Sequence, residues 1–355
     1  MAETHYGVND PEAVKLWSRR LAREALKKTY FKRFVGESDD SLVQLKNDTT
    51  KGAGDRVRTT LRVLLSGDGV LGDETAEGNE EALTTYTDDL LINQLRHNTR
   101  SAGKMSEQRI NFEYREEAMS GLRDWWADRM DTIFFNQICG YTAESNLRKT
   151  GMNACIAPTS TRLVRPSGVT TDEGTNDDST KIFTLDLIDK AVEKAKTVSP
   201  VIRPINVEGG DHYVMFLHPY QVTSLRTNTS TGQWQDIQKA AMSGGKVAKN
   251  PIFDGSLGMY NNVVLHEAVR VTNGVHSTSS AVQTATRRAV LCGAQAAFMG
   301  FGKGYSVNQY DWVEELFDYR NKLGVLAGTI FGMKKCVFNA ADFGTIVVPT
   351  YAAAA

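Results

Sequence analysis

Cysteine is scarce in this chain of 355 residues: Cys139, Cys155, Cys292 and Cys336 are widely spaced, and no CxxC pair occurs. That spacing excludes a disulfide-stapled small domain, a zinc ribbon and a thioredoxin-type site, and fits reduced, mostly buried thiols. Long apolar runs are lacking too. The strongest, Leu323 to Met333, is about half the ~20 residues that a membrane helix needs. The start, MAETHYGVND, is polar and offers no signal-peptide core. These absences point to a soluble protein with no membrane partner. An excess of one charge is also missing: 41 basic side chains face 42 acidic ones, so the chain is no uniformly basic nucleic-acid coat. With 41% hydrophobic and 23% charged residues, a packed globular core is expected, at a length worth about two compact units.

Catalytic signatures are absent as well. His266-Glu267 begins like a zinc-protease helix, but Arg270 stands where the second histidine belongs. The segment Gly300 to Gly304 resembles a phosphate loop only in part. Gly304 replaces the Ser or Thr after Lys303, and Ala297 replaces the first glycine, so a turn between strands is the reading. Asp211-His212 reads as a solvated turn. No GxSxG elbow occurs, no cysteine has a neighbouring histidine, and the six histidines show no metal-ligand spacing. No enzymatic activity, metal or cofactor is expected.

What the chain does have is segregated charge. Residues 12–34 read as an amphipathic helix with Asp10 and Pro11 at its start and Val14, Trp17, Leu21 and Ala25 along one stripe. Between Lys15 and Phe34 lie eight basic side chains (Lys15, Arg19, Arg20, Arg23, Lys27, Lys28, Lys32 and Arg33) against one acid, Glu24. From Val63 to Leu95 the sign inverts: Asp68, Asp73, Glu74, Glu77, Glu80, Glu81, Asp88 and Asp89 face no Lys or Arg. Six glycines between Gly52 and Gly78 mark this region as a long irregular or hairpin-like excursion, too long to be idle in a compact domain.

The strongest helix spans Glu107 to Cys139, with Ser106 as N-cap and Gly140 as the C′ residue. Its first half carries a narrow stripe of Ile110, Tyr114 and Ala118, and its second half is crowded with apolar residues on several sides. Residues 158–181 read as loop, Leu185 to Thr197 as a helix, and Tyr213 to Leu217 as a buried strand with His218-Pro219 opening a helix. Residues 233–243 look helical, and Asn262 to Leu265 and Arg288 to Cys292 look like strands. After Gly304 the chain turns β-rich, and the GxxxG series Gly324, Gly328 and Gly332 falls in a strand. The class is α+β, without a βαβ rhythm.

Four stretches carry a family resemblance. They are HNTRSAGKMSEQR leading into GLRDWWADRMDTIFFNQICG (97–140), FLHPYQ (216–221), NPIFDGSLGMYNNVVLHE (250–267), and VLCGAQAAFMGFGKG with DYRNKLGVLAGTIFGMKKCVFNAADFGTIVVPT (290–304 and 318–350). In this order they resemble major capsid proteins of tailed bacteriophages, in the branch of the N4-like podovirus coat protein. The resemblance implies the tailed-phage and herpesvirus capsid fold: an N-terminal arm (1–45), an extended loop (46–104), a peripheral domain (105–180 and 305–335) with a spine helix at 107–139, and an axial domain (181–304 and 336–355). It implies a structural role, with many copies forming hexamers and pentamers of an icosahedral shell around double-stranded DNA. Portal and scaffolding or decoration proteins are the implied partners, with DNA on the inner face and assembly in the bacterial host cytoplasm. Candidate intersubunit contacts are Arg19, Arg20, Arg23, Lys27, Lys28, Lys32 and Arg33 on the arm, and Asp73, Glu74, Glu77, Glu80 and Glu81 on the loop. The alternative is a nucleic-acid-binding module acting through the basic segment 15–34.

Overall fold

A computed structural model describes residues 21, 25, 29–46, 54–63, 65–73, 75–111, 113–207, 210–228, 256–307 and 309–354. Most of the expected helix 12–34, and all of that at 233–243, lie outside them. Leu21 and Ala25 are helical and buried in the core, as their stripe requires. The helix does not reach Phe34: Thr29 is extended, and Tyr30–Phe34 form a 3₁₀ turn. The Asp131 carboxylate is the reason. It accepts the N–H groups of Tyr30 (2.9 Å) and Phe31 (3.3 Å), giving them partners outside an α-helix.

Two short strands follow, β1 (Val35–Gly36) and β2 (Val43–Lys46), then a hairpin of β3 (Arg56–Arg62) and β4 (Thr85–Leu91), then β5 (Asn93–Arg100). The expected single helix 107–139 is two helices, α1 (Lys104–Gln108) and α2 (Tyr114–Ile138). Ser106 lies inside α1, and Gly103, at φ 135°, takes the N-cap place. Residues 104–111 are exposed or half-exposed, so little packing rewards a continuous helix there, and Asn111 competes for backbone hydrogen bonds. Glu113 is extended before α2, and Glu116 and Glu117 place negative charge in the first turn, where the helix dipole favours it. Gly140 ends the helix at φ 61° as expected, and a Cβ there would meet the Ile156 carbonyl at 2.6 Å.

Loop 158–181 contains a short helix, α3 (Asp172–Asn176), and leads to α4 (Leu185–Thr197), β6 (Ile205–Val207), β7 (Gly210–Leu217) and α5 (Pro219–Thr227). Then come β8 (Ser256–Tyr260), β9 (Val263–Glu267), β10 (Asn273–Val275) and β11 (Val282–Cys292). The chain closes through β12 (Ala297–Phe301), β13 (Asp311–Phe317), β14 (Lys322–Lys335), β15 (Val337–Phe338), β16 (Ala341–Asp342) and β17 (Thr345–Tyr351).

Two larger sheets organise these strands. In one, the long β14 pairs antiparallel with β13, β5 and β12, and β12 continues in parallel to β2 and β1. In the other, β11 pairs antiparallel with β17, β7 and β10, while β7 runs parallel to β9. The second sheet is covered on both faces. Val214, Phe216, Val290 and Val347 face the core shared with α2, whereas Met215, Leu217, Leu291 and Val348 face α4. Two buried faces explain why Tyr213–Leu217 reads as an unbroken apolar run. On α2, Trp126 is fully buried with its ring edge-on to Tyr310 and Phe331, which fixes the helix against the first sheet. Arg288 of β11 joins α2 to the second sheet: it donates to the Gly140 carbonyl (2.8 Å) and to Asp172 (2.7 Å).

Candidate assembly surface

The acidic excursion is a hairpin. β3 and β4 pair from Arg56↔Leu91 to Arg62↔Thr85, and beyond them the described residues from 63 to 84 form no helix or strand and are exposed. Seven residues at ~3.3 Å each carry the ribbon about 23 Å before this apical loop begins.

Its base is fixed. The Asn153 side chain accepts the Leu91 N–H (3.0 Å) and donates to the carbonyls of Leu91 (3.0 Å), Gly151 (2.9 Å) and Met333 (3.2 Å). Gly332 lets the chains meet, since a Cβ there would lie 2.0 Å from the Leu91 carbonyl oxygen. Buried Asp88 pairs with Lys334 and accepts the Val337 N–H (3.2 Å), while Lys334 also donates to the Asp89 carbonyl (3.1 Å). Val57 and Leu90 pack with Phe298, Phe338 and Phe343.

Asp89 bonds to Arg58 (2.8 Å) and to Arg56 (3.3 Å). The Arg58 hydrogen bond holds its carboxyl down at about 2, with the charges of Arg58 and Arg56 adding to it. Two acids of the negative block are therefore neutralised within the subunit. Sequence counting missed this, although basic positions on β3 facing acidic ones on β4 were the signal; Arg58 and Asp89 are register partners. At the apex, the amides of Ser66 and Gly67 hold the Glu81 carboxyl below its usual range.

The other expected contact residues fall as follows. Asp73, Glu77, Glu80 and Glu81 are exposed on the apical loop, and Asp73 and Glu77 have no cationic partner among the described residues. Lys32 and Arg33 are exposed on the 3₁₀ turn, with the Arg33 guanidinium 5.4 Å from the Tyr30 ring centroid. Arg19, Arg20, Arg23, Lys27, Lys28 and Glu74 lie outside the described residues. Among the described residues, no group of three or more His, Cys, Asp and Glu side chains could hold a metal, and no helix is long and apolar enough to cross a membrane. The surface can bind by shape and charge.

A family model described as phage capsid protein matches residues 5–354. The major capsid protein of Pseudomonas phage KPP25 is 30% identical, over 95% of this chain and 94% of that protein. Among solved structures, the capsid of Ralstonia phage GP4 is similar at a TM-score of 0.78 and 34% identity, covering 99% of this chain and 98% of that one. The capsid of cyanophage Pam1 shares the fold at a TM-score of 0.72 and 21% identity, covering 93% and 94%.

Proposed function

The chain belongs to the phage capsid protein family, and from that premise we propose that its acidic hairpin and its basic N-terminal arm are the contacts through which copies join into hexamers and pentamers. It is a phage major capsid protein, a structural component of the icosahedral shell that associates with copies of itself. One observation supports the hairpin's role above all: about twenty apical residues are exposed, far from a base that is pinned by Asn153 and Gly332. Ordering such a loop costs entropy that its own subunit does not repay, whereas a neighbour offers many repeated weak contacts.

The arm has the complementary charge. Portal and scaffolding or decoration proteins, and packaged double-stranded DNA on the inner face, complete the proposed partners, with assembly in the bacterial host cytoplasm. The role is structural, without turnover of a substrate. The test is the triple variant Lys27→Glu, Lys28→Glu, Arg33→Glu, assembled without DNA and imaged. The expected result is folded subunits that fail to close shells. Normal empty shells in low salt would reject the arm as an intersubunit contact and leave its basic face to the genome or to solvent.

A further inference from the structure

Arg287 is a cation without an anion. It lies half-buried on β11, with its guanidinium 5.6 Å from the ring centroid of Tyr220 at the start of α5. Its Nε is sealed from solvent without a hydrogen bond, and the guanidinium has no ion pair among the described residues. Its cross-strand neighbours, Asn273 on β10 and Thr350 on β17, are uncharged. Burial pushes the guanidinium below its ordinary value. The groups acting against this are Tyr220 and Tyr141, with no carboxylate among them. The adjacent Arg288, by contrast, is held by Asp172 at 2.7 Å. A half-desolvated charge without an internal partner costs stability unless an outside anion meets it.

Acids are missing from the surroundings over a wide area. No Asp or Glu occurs from His212 to Asn228, from Ala268 to Tyr310, or after Asp342, although the chain has 42. Those tracts supply α5, β10, β11 and β17. Arg226 adds an exposed cation in the last turn of α5, and the β10–β11 turn exposes Ser277 to Ser280. Acids brought up by other elements are engaged or set apart. Asp172 is buried between Arg288 and Arg165, and Glu173 accepts the Ser277 hydroxyl (2.5 Å). Glu144, close to Tyr141, pairs with Lys149 (3.1 Å), and Glu267 on β9 lies two strands from β11.

We propose that Arg287, framed by Tyr220 and Tyr141, is a contact for backbone phosphates of the packaged double-stranded DNA. The inference rests on the reading that DNA meets the inner face of the shell. A polyanion brings its phosphates in a row and is repelled by acids. An acid-free field several elements wide therefore favours it over a single carboxylate of a neighbouring copy. Phosphates also accept hydrogen bonds from Ser and Thr hydroxyls, which the β10–β11 turn offers.

Heads filled with DNA that carries 5-bromodeoxyuridine, which crosslinks to nearby aromatic side chains on irradiation, test it. After nuclease digestion, nucleotide adducts are mapped by mass spectrometry. Adducts on Tyr220 or Tyr141 are expected. Adducts confined to other peptides would overturn this site while keeping DNA on the inner face. No adduct anywhere on the shell protein would overturn both. Arg287→Gln is expected to cut the adducts about tenfold, the size of a lost charge-assisted hydrogen bond, at unchanged yield and melting temperature of empty shells. Undiminished adducts would overturn the role of Arg287. A fall in empty-shell yield at normal subunit stability would assign Arg287 to a neighbouring copy and equally overturn the proposal.

Discussion

His218 shows how one proton is tied to one helix cap. The side chain is buried at the start of α5, its Nδ1 accepts the Tyr220 N–H (3.2 Å), and Gln221 Oε1 accepts the His218 N–H (3.0 Å) in return. Burial, with the nearby Arg287 charge, pushes the imidazole down to about 4, and burial does the same to His266. Both folded values lie below the unfolded one, so stability is complete above about 6.5 and is lost as pH falls toward 4. Asp131 works in the opposite sense. Burial raises its carboxyl to about 6, so it favours the folded state as pH falls through that value. Two histidines outweigh one aspartate, and the subunit is expected to lose stability between about pH 6 and 4. His218→Asn keeps a capping acceptor and removes the titration; urea midpoints across this range should show a slope shallower by up to one proton. A second residue-scale case is Lys335, whose ammonium lies 2.7 Å from Asp342 with both side chains almost fully buried. Asp342→Ala strands a buried cation and should cost about 3–5 kcal/mol in chemical denaturation. Replacing both partners with apolar residues of similar volume should recover most of that loss.

Among the elements, α2 is the least tolerant of interruption. Trp126→Pro removes a helical hydrogen bond and clashes with the preceding turn, at about 3 kcal/mol or more. Loss of the buried ring adds roughly 3–5 kcal/mol, which together approaches the whole stability of a typical domain. Insoluble subunits are expected, and an unchanged melting temperature would refute α2 as a packed strut. The hairpin base should be as sensitive. Gly332→Ala drives a methyl group into the Leu91 carbonyl, whereas Gly72→Ala at the apex meets nothing within 4 Å and suffers only its φ of 58°. Limited proteolysis within 54–62 should therefore rise for the first variant and not for the second. Where a pattern reported burial, the sequence was legible: helix 185–197 stands as expected, and the strands expected at 213–217, 262–265 and 288–292 lie within β7, β9 and β11, apart from Asn262 in the turn before β9. It failed where long-range partners decided. Helical periodicity runs through 109–113, but the described residues 109–111 and 113 are exposed or half-exposed, which leaves the helix little to pack on. Asp88 counted as a free acid because Lys334 is 246 positions away. The charged excursion and its hairpin nature were readable; the Asn153 and Gly332 fastening that aims it was not, since one amide and one glycine have no periodic signature.

At the scale of the whole molecule, folding and association respond differently to salt. Exposed ion pairs contribute about 0–1 kcal/mol each, and at 1 M salt the Debye length is only ~3 Å. The core pairs Lys335–Asp342 and Arg288–Asp172 are shielded from that screening. Raising salt to about 1 M should leave the melting temperature of the subunit nearly constant while assembly yield, followed by light scattering, falls. The sheet topology also bears on how the protein is made. β14 is the hub of one sheet, and β17 is a full-length partner of β11 in the other, yet both come after residue 320. While the ribosome is still short of them, β5 and β13 have no strand to pair with, and β11 lacks one of its neighbours. The subunit therefore completes itself late, and a chain broken off during translation leaves both cores open. Such fragments expose unpaired strand edges and apolar surface, the features that proteases and chaperones act on, and lack the finished sheets that a shell subunit presents.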